Sequence, residues 1–153
     1  QEPSIPAAPT PEPPPSIPDL ALSYLRPMNP DRASLLVFEN PIFQYGLVFS
    51  ENAPQMLQGL AAAMNTAGSN CALRIIGHTG PDPVPANTGY RDNHALGLAR
   101  AEAVFEYLRV HGGVAPDRMS ATSSGRDHPP CPMDDPKARL LNKTVTIELL
   151  PRI

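Results

Sequence analysis

The sequence predicts an α+β domain, a four-stranded sheet with its helices packed on one face. Three observations lead there. Apolar runs of strand length alternate with stretches of 3.6-residue period, in the order β–α–β–α–β–(α)–β. The last run, TVTIELL over Thr144 to Leu150, alternates strictly: Val145, Ile147 and Leu149 fall on one side, Thr146 and Glu148 on the other. That pattern suits a sheet with one covered face and one face open to solvent. Finally, 41% of the residues are hydrophobic but only 5% are aromatic, with no Trp, so the core must be aliphatic. No heptads or internal repeats interrupt this reading.

The first stretch, residues 1 to 18, holds eight prolines. Proline fixes φ and removes a donor, so this stretch is neither helix nor sheet. It reads as an extended linker that spans on the order of 55 Å at about 3.1 Å per residue. Residues 19 to 33 form a connecting segment, with a short helical turn expected over Asp19 to Arg26. The domain proper is expected over residues 34 to 153. Its first strand is SLLVF, Ser34 to Phe38. Glu39 to Phe49 is apolar but broken by Pro41 and Gly46. Asn52 reads as an N-cap, with Pro54 in the first turn and Gln55 closing a capping box. Leu57, Leu60, Ala61 and Met64 then give one helix face, and TAGSN ends that helix.

Cys71 to His78 is the second strand, a short apolar run of the buried kind. A loop with three prolines follows from Gly80 to Gly89. The second helix is expected from about Arg91 to Val110 and is stopped by Gly112 and Gly113. Its broad apolar face is predicted as Leu96, Ala99, Ala103, Val104, Tyr107 and Leu108. Leu98 and Phe105 lie opposite, either packed under the segment before the first strand or exposed to a partner. Arg118 to Ser123 is a short, polar third strand. Ser124 to Lys143 is a long connection containing HPPCP, with a short helix over Asp135 to Leu140. Thr144 to Leu150 closes the sheet.

Composition excludes several functions. The formal charge is -3 and no basic run is present, which argues against nucleic acid and against anionic lipid surfaces. No apolar run approaches the roughly 20 residues of a membrane helix. No signal peptide is read, and any membrane anchor is expected upstream of this chain. The two cysteines, Cys71 and Cys131, are too few for a disulfide framework. They are expected at opposite ends of the sheet, so no bond between them is predicted. His78, His94, His111 and His128 are scattered without metal-ligand spacing, so neither metal nor cofactor is expected. There is no GxSxG, and GHTGPDPVPANTG lacks the order of a phosphate-binding loop. Glu102 and Glu106 fall on the outer helix face, where they are solvated. An enzyme is not predicted.

One residue breaks the pattern. Arg100 falls within the apolar face of the second helix, between Leu96 and Val104. A guanidinium cannot be left unpaired in a core. Either it sits at the mouth of the layer beside the loop and holds an anionic partner, or its stem packs while its head reaches water.

The same residues carry a family resemblance. GHTG, then Asn93-x-x-Leu96, Leu98-Ala99-Arg100-Ala101, Val104 and Tyr107-Leu108 resemble the OmpA-like (OmpA/MotB C-terminal) peptidoglycan-binding domain over about Ser34 to Leu150. The family pattern is roughly GHTD, a loop, NxxLSxxRAxxVxxYL, a strand and a late NRRV. The resemblance implies a mixed sheet of order 1-4-2-3, with the fourth strand antiparallel to the rest. It also implies a periplasmic wall-binding module that grips the diaminopimelate of the peptidoglycan stem peptide. There the Asp of GHTD reads an ammonium and the helix Arg reads a carboxylate. Here His78, Thr79 and Arg100 are kept, but Gly80 stands where the Asp is expected. The loop to Arg100 is about five residues longer than the family spacing, and it brings Asp82 and Asp92, either of which can supply a carboxylate. Asn142 is kept, while Lys143 and Thr144 replace the late arginines. The implied site is therefore His78, Thr79, Gly80, Asp82, Asp92, Asn93, Leu96, Arg100 and Asn142. In the unliganded protein Asp82 and Asp92 are the expected internal partners of Arg100. Two function classes follow. One is a peptidoglycan-binding anchor of an envelope protein or machine, on a proline-rich tether and with weakened binding. The other is a protein-interaction scaffold of a cell-envelope complex that keeps the fold without the ligand.

Overall fold

The computed structural model describes residues 25–28, 34–67, 71–84 and 89–151. The proline-rich stretch 1–18, most of the connecting segment and the end of TAGSN lie outside the described residues. The strands are β1 (Leu25–Pro27), β2 (Leu35–Phe38), β3 (Phe43–Tyr45), β4 (Val48–Phe49), β5 (Cys71–His78), β6 (Met119–Gly125) and β7 (Val145–Pro151). The helices are α1 (Ala53–Ala67), α2 (Asn93–Val110) and the short α3 (Ala138–Leu141).

The main sheet runs β1-β2-β7-β5-β6. β7 is antiparallel to both β2 and β5, while β5 and β6 are parallel. Counting only the four expected strands, the order is 1-4-2-3 with the fourth reversed. Two additions correct the reading. Leu25–Pro27, expected as the end of a helical turn, instead adds an antiparallel edge strand to β2, making the sheet five-stranded among the described residues. Pro27 is tolerated because an edge strand can spare its N–H. The apolar stretch before α1 forms the β3–β4 hairpin, turning at Gly46 with φ +50. Glycine adopts that conformation far more readily than residues with a Cβ.

The aliphatic core lies between the sheet and the two long helices. Leu36, Phe38, Leu73, Ile75, Val145, Ile147 and Leu149 face Met56, Leu57, Leu60, Met64, Ala101, Val104 and Leu108. The α1 face holds as expected. On α2 the buried stripe is Gly97, Arg100, Ala101, Val104 and Leu108. It is rotated from the predicted face, so Leu96, Ala99, Ala103 and Tyr107 are half-buried at its margins. Phe105, expected opposite the core, packs against the core margin, and Leu98 is half-buried.

The rotation has a cause. A Cβ on Gly77 of β5 would stand 1.7 Å from the Gly97 carbonyl oxygen, and one on Gly97 would meet Ser123 Oγ at 2.4 Å. Two glycines thus bring the α2 backbone directly onto β5. Gly97 costs helix propensity of about 1 kcal/mol, but it makes this contact possible and aims the next inward side chain, Arg100, at the end of β5.

The face of the sheet away from the helices is less open than the alternation of β7 implies. Thr146 is buried there, bonded to His78 Nε2 at 2.8 Å, with Leu35 and Val37 buried beside it on β2. Glu148 pairs with Arg74 at 2.7 Å nearer solvent.

Candidate functional site

At the C-terminal end of β5, where that strand gives way to the long loop, a cleft of about 380 Å³ opens between the loop, the start of α2, the β3–β4 hairpin and α3. Of the residues singled out in the sequence, Thr79, Gly80, Asp82, Asn93, Leu96 and Arg100 line it together. Tyr45, Gly46, Pro83, Val84, Tyr90, Arg139 and Lys143 complete the lining.

Arg100 is at its floor, 3% exposed. Its Nε donates to the Gly46 carbonyl at 2.9 Å and its Nη1 to the His78 carbonyl at 2.9 Å. The guanidinium carbon stands 5.4 Å from the centre of the Phe43 ring. Burial pulls its pKa down to about 10, offset in part by Tyr90 nearby, so it stays cationic at neutral pH. The expected pairing with Asp82 or Asp92 is not what the fold provides. Among the described residues no carboxylate holds Arg100; two main-chain carbonyls do, and neither bond uses Nη2. The buried cation is thus fixed by neutral dipoles, with one edge left for the cleft.

Both aspartates are engaged elsewhere. Asp82 forms a two-pronged ion pair with Arg139 of α3, at 2.8 and 3.0 Å. Its carbonyl accepts from Asn93 Nδ2 at 3.1 Å, which ties the loop to α2. Asp92 is the N-cap of α2, accepting from the Ala95 N–H at 2.9 Å. It lies on a neighbouring surface depression rather than on the cleft.

Gly80 packs against the backbone of α3. A Cβ there would meet Arg139 Cα at 3.4 Å and the Ala138 carbonyl at 3.7 Å, ordinary contact distances. The position where the family pattern has a carboxylate therefore abuts the backbone that carries Arg139. Lys143 stands at the opposite wall, its Nζ donating to the Gln44 carbonyl at 3.0 Å.

Two of the singled-out residues do other work. His78 contributes only its carbonyl to the site; its imidazole points to the other face of the sheet. Burial, with a smaller push from His128, lowers its pKa to about 4, and Nδ1 has no hydrogen-bond partner. Asn142 is fully buried and brackets Cys131, accepting from its N–H at 2.9 Å and donating to its carbonyl at 2.8 Å. It shapes the long connection rather than the cleft wall. Cys71 and Cys131 are both buried and free. No helix among the described residues is long and apolar enough to cross a membrane.

Arg139, Tyr90 and the hairpin were missed because none belongs to the motif and all come from segments without clear periodicity. Gly46, noted only as a break in an apolar run, was the one available signal for the turn that receives Arg100.

Comparison with known proteins bears on this arrangement. A family model described as the OmpA family matches residues 44–143. Structurally, the chain is similar to the periplasmic domain of Helicobacter pylori MotB (22% identity, TM-score 0.69, covering 86% of this chain and 90% of that one). It is also similar to a putative MotB-like protein from Desulfovibrio vulgaris (24% identity, TM-score 0.66, covering 77% and 75%). A third likeness is the OmpA-like domain of FopA1 from Francisella tularensis (13% identity, TM-score 0.59, covering 76% and 73%). No curated protein gave a significant match.

Proposed function

The chain belongs to the OmpA family, and from that premise we propose that it is a non-catalytic, periplasmic wall-binding module whose cleft takes a carboxylate of the peptidoglycan stem peptide, with weakened affinity. The observation that carries this reading is Arg100, held rigid by two carbonyls at the floor of a cleft with Nη2 uncommitted. A guanidinium so fixed loses little entropy when a carboxylate arrives. Weakened affinity follows from Gly80 and from the engagement of Asp82 by Arg139. A missing charge-assisted bond costs about 1.5–3 kcal/mol, or one to two powers of ten in binding.

A second reading, a scaffold module of an envelope complex, is favoured by the exposed apolar side chains of Tyr45, Leu47 and Val48 on the hairpin beside the cleft. Co-sedimentation with purified sacculi separates the two. Wild type should pellet with the wall and Arg100→Ala should remain in solution while still folded. Wild type left wholly in the supernatant would rule out the wall-binding reading.

A further inference from the structure

We propose that Arg139 sets the charge specificity of the cleft, turning it toward carboxylates that carry no free ammonium beside them. The inference rests on the wall-peptide reading above and narrows the ligand end it accepts. Among the described residues, three cationic side chains, Arg100, Arg139 and Lys143, line the cleft against a single carboxylate, Asp82. Residues 85–88 of the same loop are Pro-Ala-Asn-Thr and add no charge. The described lining of the cleft therefore carries two net positive charges. Its one carboxylate is already gripped through both oxygens by Arg139, at 2.8 and 3.0 Å. An incoming ammonium would find that carboxylate occupied and would sit among like charges. An incoming carboxylate finds Arg100 Nη2 and the ammonium of Lys143.

The chemical class that fits is an acylated amino acid end, such as a peptide C-terminus, whose nitrogen is locked in an amide. A free amino acid end, with carboxylate and ammonium on one carbon, is disfavoured. Arg139 is a specificity residue here and not a structural one: its side chain is 73% exposed.

The test compares two ligands of equal carbon length by calorimetry on the full chain at low salt. Pimelate has two carboxylates and no amine; meso-diaminopimelate has the same chain with an ammonium beside each carboxylate. Wild type should bind pimelate about tenfold more tightly, the worth of one charge-assisted bond. Arg139→Ala frees Asp82 and should invert the preference, and Asp82→Asn added to it should cancel the inversion. Tighter binding of diaminopimelate by wild type, or a preference unchanged in Arg139→Ala, overturns the inference while leaving the wall-peptide reading intact. Binding of neither ligand by either protein, with wild type also failing to pellet with sacculi, overturns both. Circular dichroism melts of the variants verify that they are folded.

Discussion

Strand β5 has a buried arginine at each end, and the two ends behave differently. At its start, Arg118 donates from Nε to the Cys71 carbonyl at 3.1 Å and from Nη2 to the Met64 carbonyl at 3.1 Å. It ties the last turn of α1 to the first residue of β5. At the far end, Arg100 donates to the Gly46 and His78 carbonyls and so ties the hairpin to the last residue of β5. The chemistry is the same, a guanidinium held by main-chain oxygens. The difference lies in what surrounds it: Arg100 lines a cleft with other charged side chains, whereas Arg118 is buried between the last turn of α1 and the start of β5. Burial of a cation alone therefore does not mark a site; burial next to an opening does.

The largest expected effect breaks the site end of this comparison. In Gly77→Ala the new methyl would overlap the Gly97 carbonyl, backbone against backbone. Helix α2 must move off β5, carrying Arg100 away from the His78 carbonyl. A loss of at least about 3 kcal/mol in denaturant unfolding is expected, at the upper end of overpacking costs. Gly97→Ala should cost clearly less. Its methyl overlaps only the Ser123 side-chain hydroxyl, at 2.4 Å, and meets the Gly77 carbonyl oxygen at a tight 3.0 Å rather than 1.7 Å, while the helix recovers about 1 kcal/mol of propensity. Equal losses for the two variants would show that the close approach is not what positions α2.

Replacing each arginine sharpens the comparison directly. Arg118→Met removes, among its contacts, the bonds to the Cys71 and Met64 carbonyls and leaves both short of a donor, for an expected loss of about 2–4 kcal/mol. Arg100→Met likewise leaves the Gly46 and His78 carbonyls short of a donor, so a loss of similar size is expected, yet it alone should lose ligand binding altogether. Calorimetric titration with pimelate on both variants, beside urea melts, checks the split. Binding lost in Arg118→Met, measured on folded protein, would contradict the division of labour.

The sequence marks these two ends unequally. Arg100 stands inside an apolar helical face, and the GHT…Arg spacing fits a known family, so it was legible. The sheet order was legible only through that family resemblance, while the clean alternation of β7 showed that the last strand belongs to the sheet. Arg118 lies in a short turn, Pro116–Arg118, with no periodicity to contradict, and nothing local flags its burial. The rotated stripe of α2 was missed because a glycine, Gly97, holds its centre, and glycine contributes nothing to an apolar pattern. The engagement of Asp82 was missed because Arg139 is 57 residues away in sequence. A pair that distant is set by how α3 leans on Gly80, which only the tertiary structure fixes.

Acid provides the next effect, again at the site end alone. His78 has a folded pKa of about 4 against 6.5 for the free group, chiefly because burial penalises the imidazolium. Between those values the unfolded chain binds the proton and the folded chain does not. Stability from this residue is thus fully present above pH 6.5 and falls as pH drops toward 4, by up to about 3 kcal/mol. Urea midpoints from pH 7 to pH 4 should decline more steeply for wild type than for His78→Gln, whose amide keeps a partner for Thr146 without titrating. Parallel curves would assign the acid sensitivity to other groups.

The smallest effect on stability concerns the rim. Arg139 and Asp82 are exposed by 73% and 59%, and their ion pair bridges a surface loop to a four-residue helix. An exposed pair contributes between zero and about 1 kcal/mol because water and salt screen it and two side chains must be held still. Arg139→Ala should therefore shift the urea midpoint barely at all, and 0.5 M salt should shrink even that difference. The same pair, if it governs which ligand end enters, must weigh far more in binding than in folding, because a ligand in the cleft displaces the water that screens it. A loss in Arg139→Ala well beyond 1 kcal/mol, insensitive to salt, would mean that α3 depends on the pair for its seat against Gly80. The rim would then belong with Arg118 among the groups that hold the fold together.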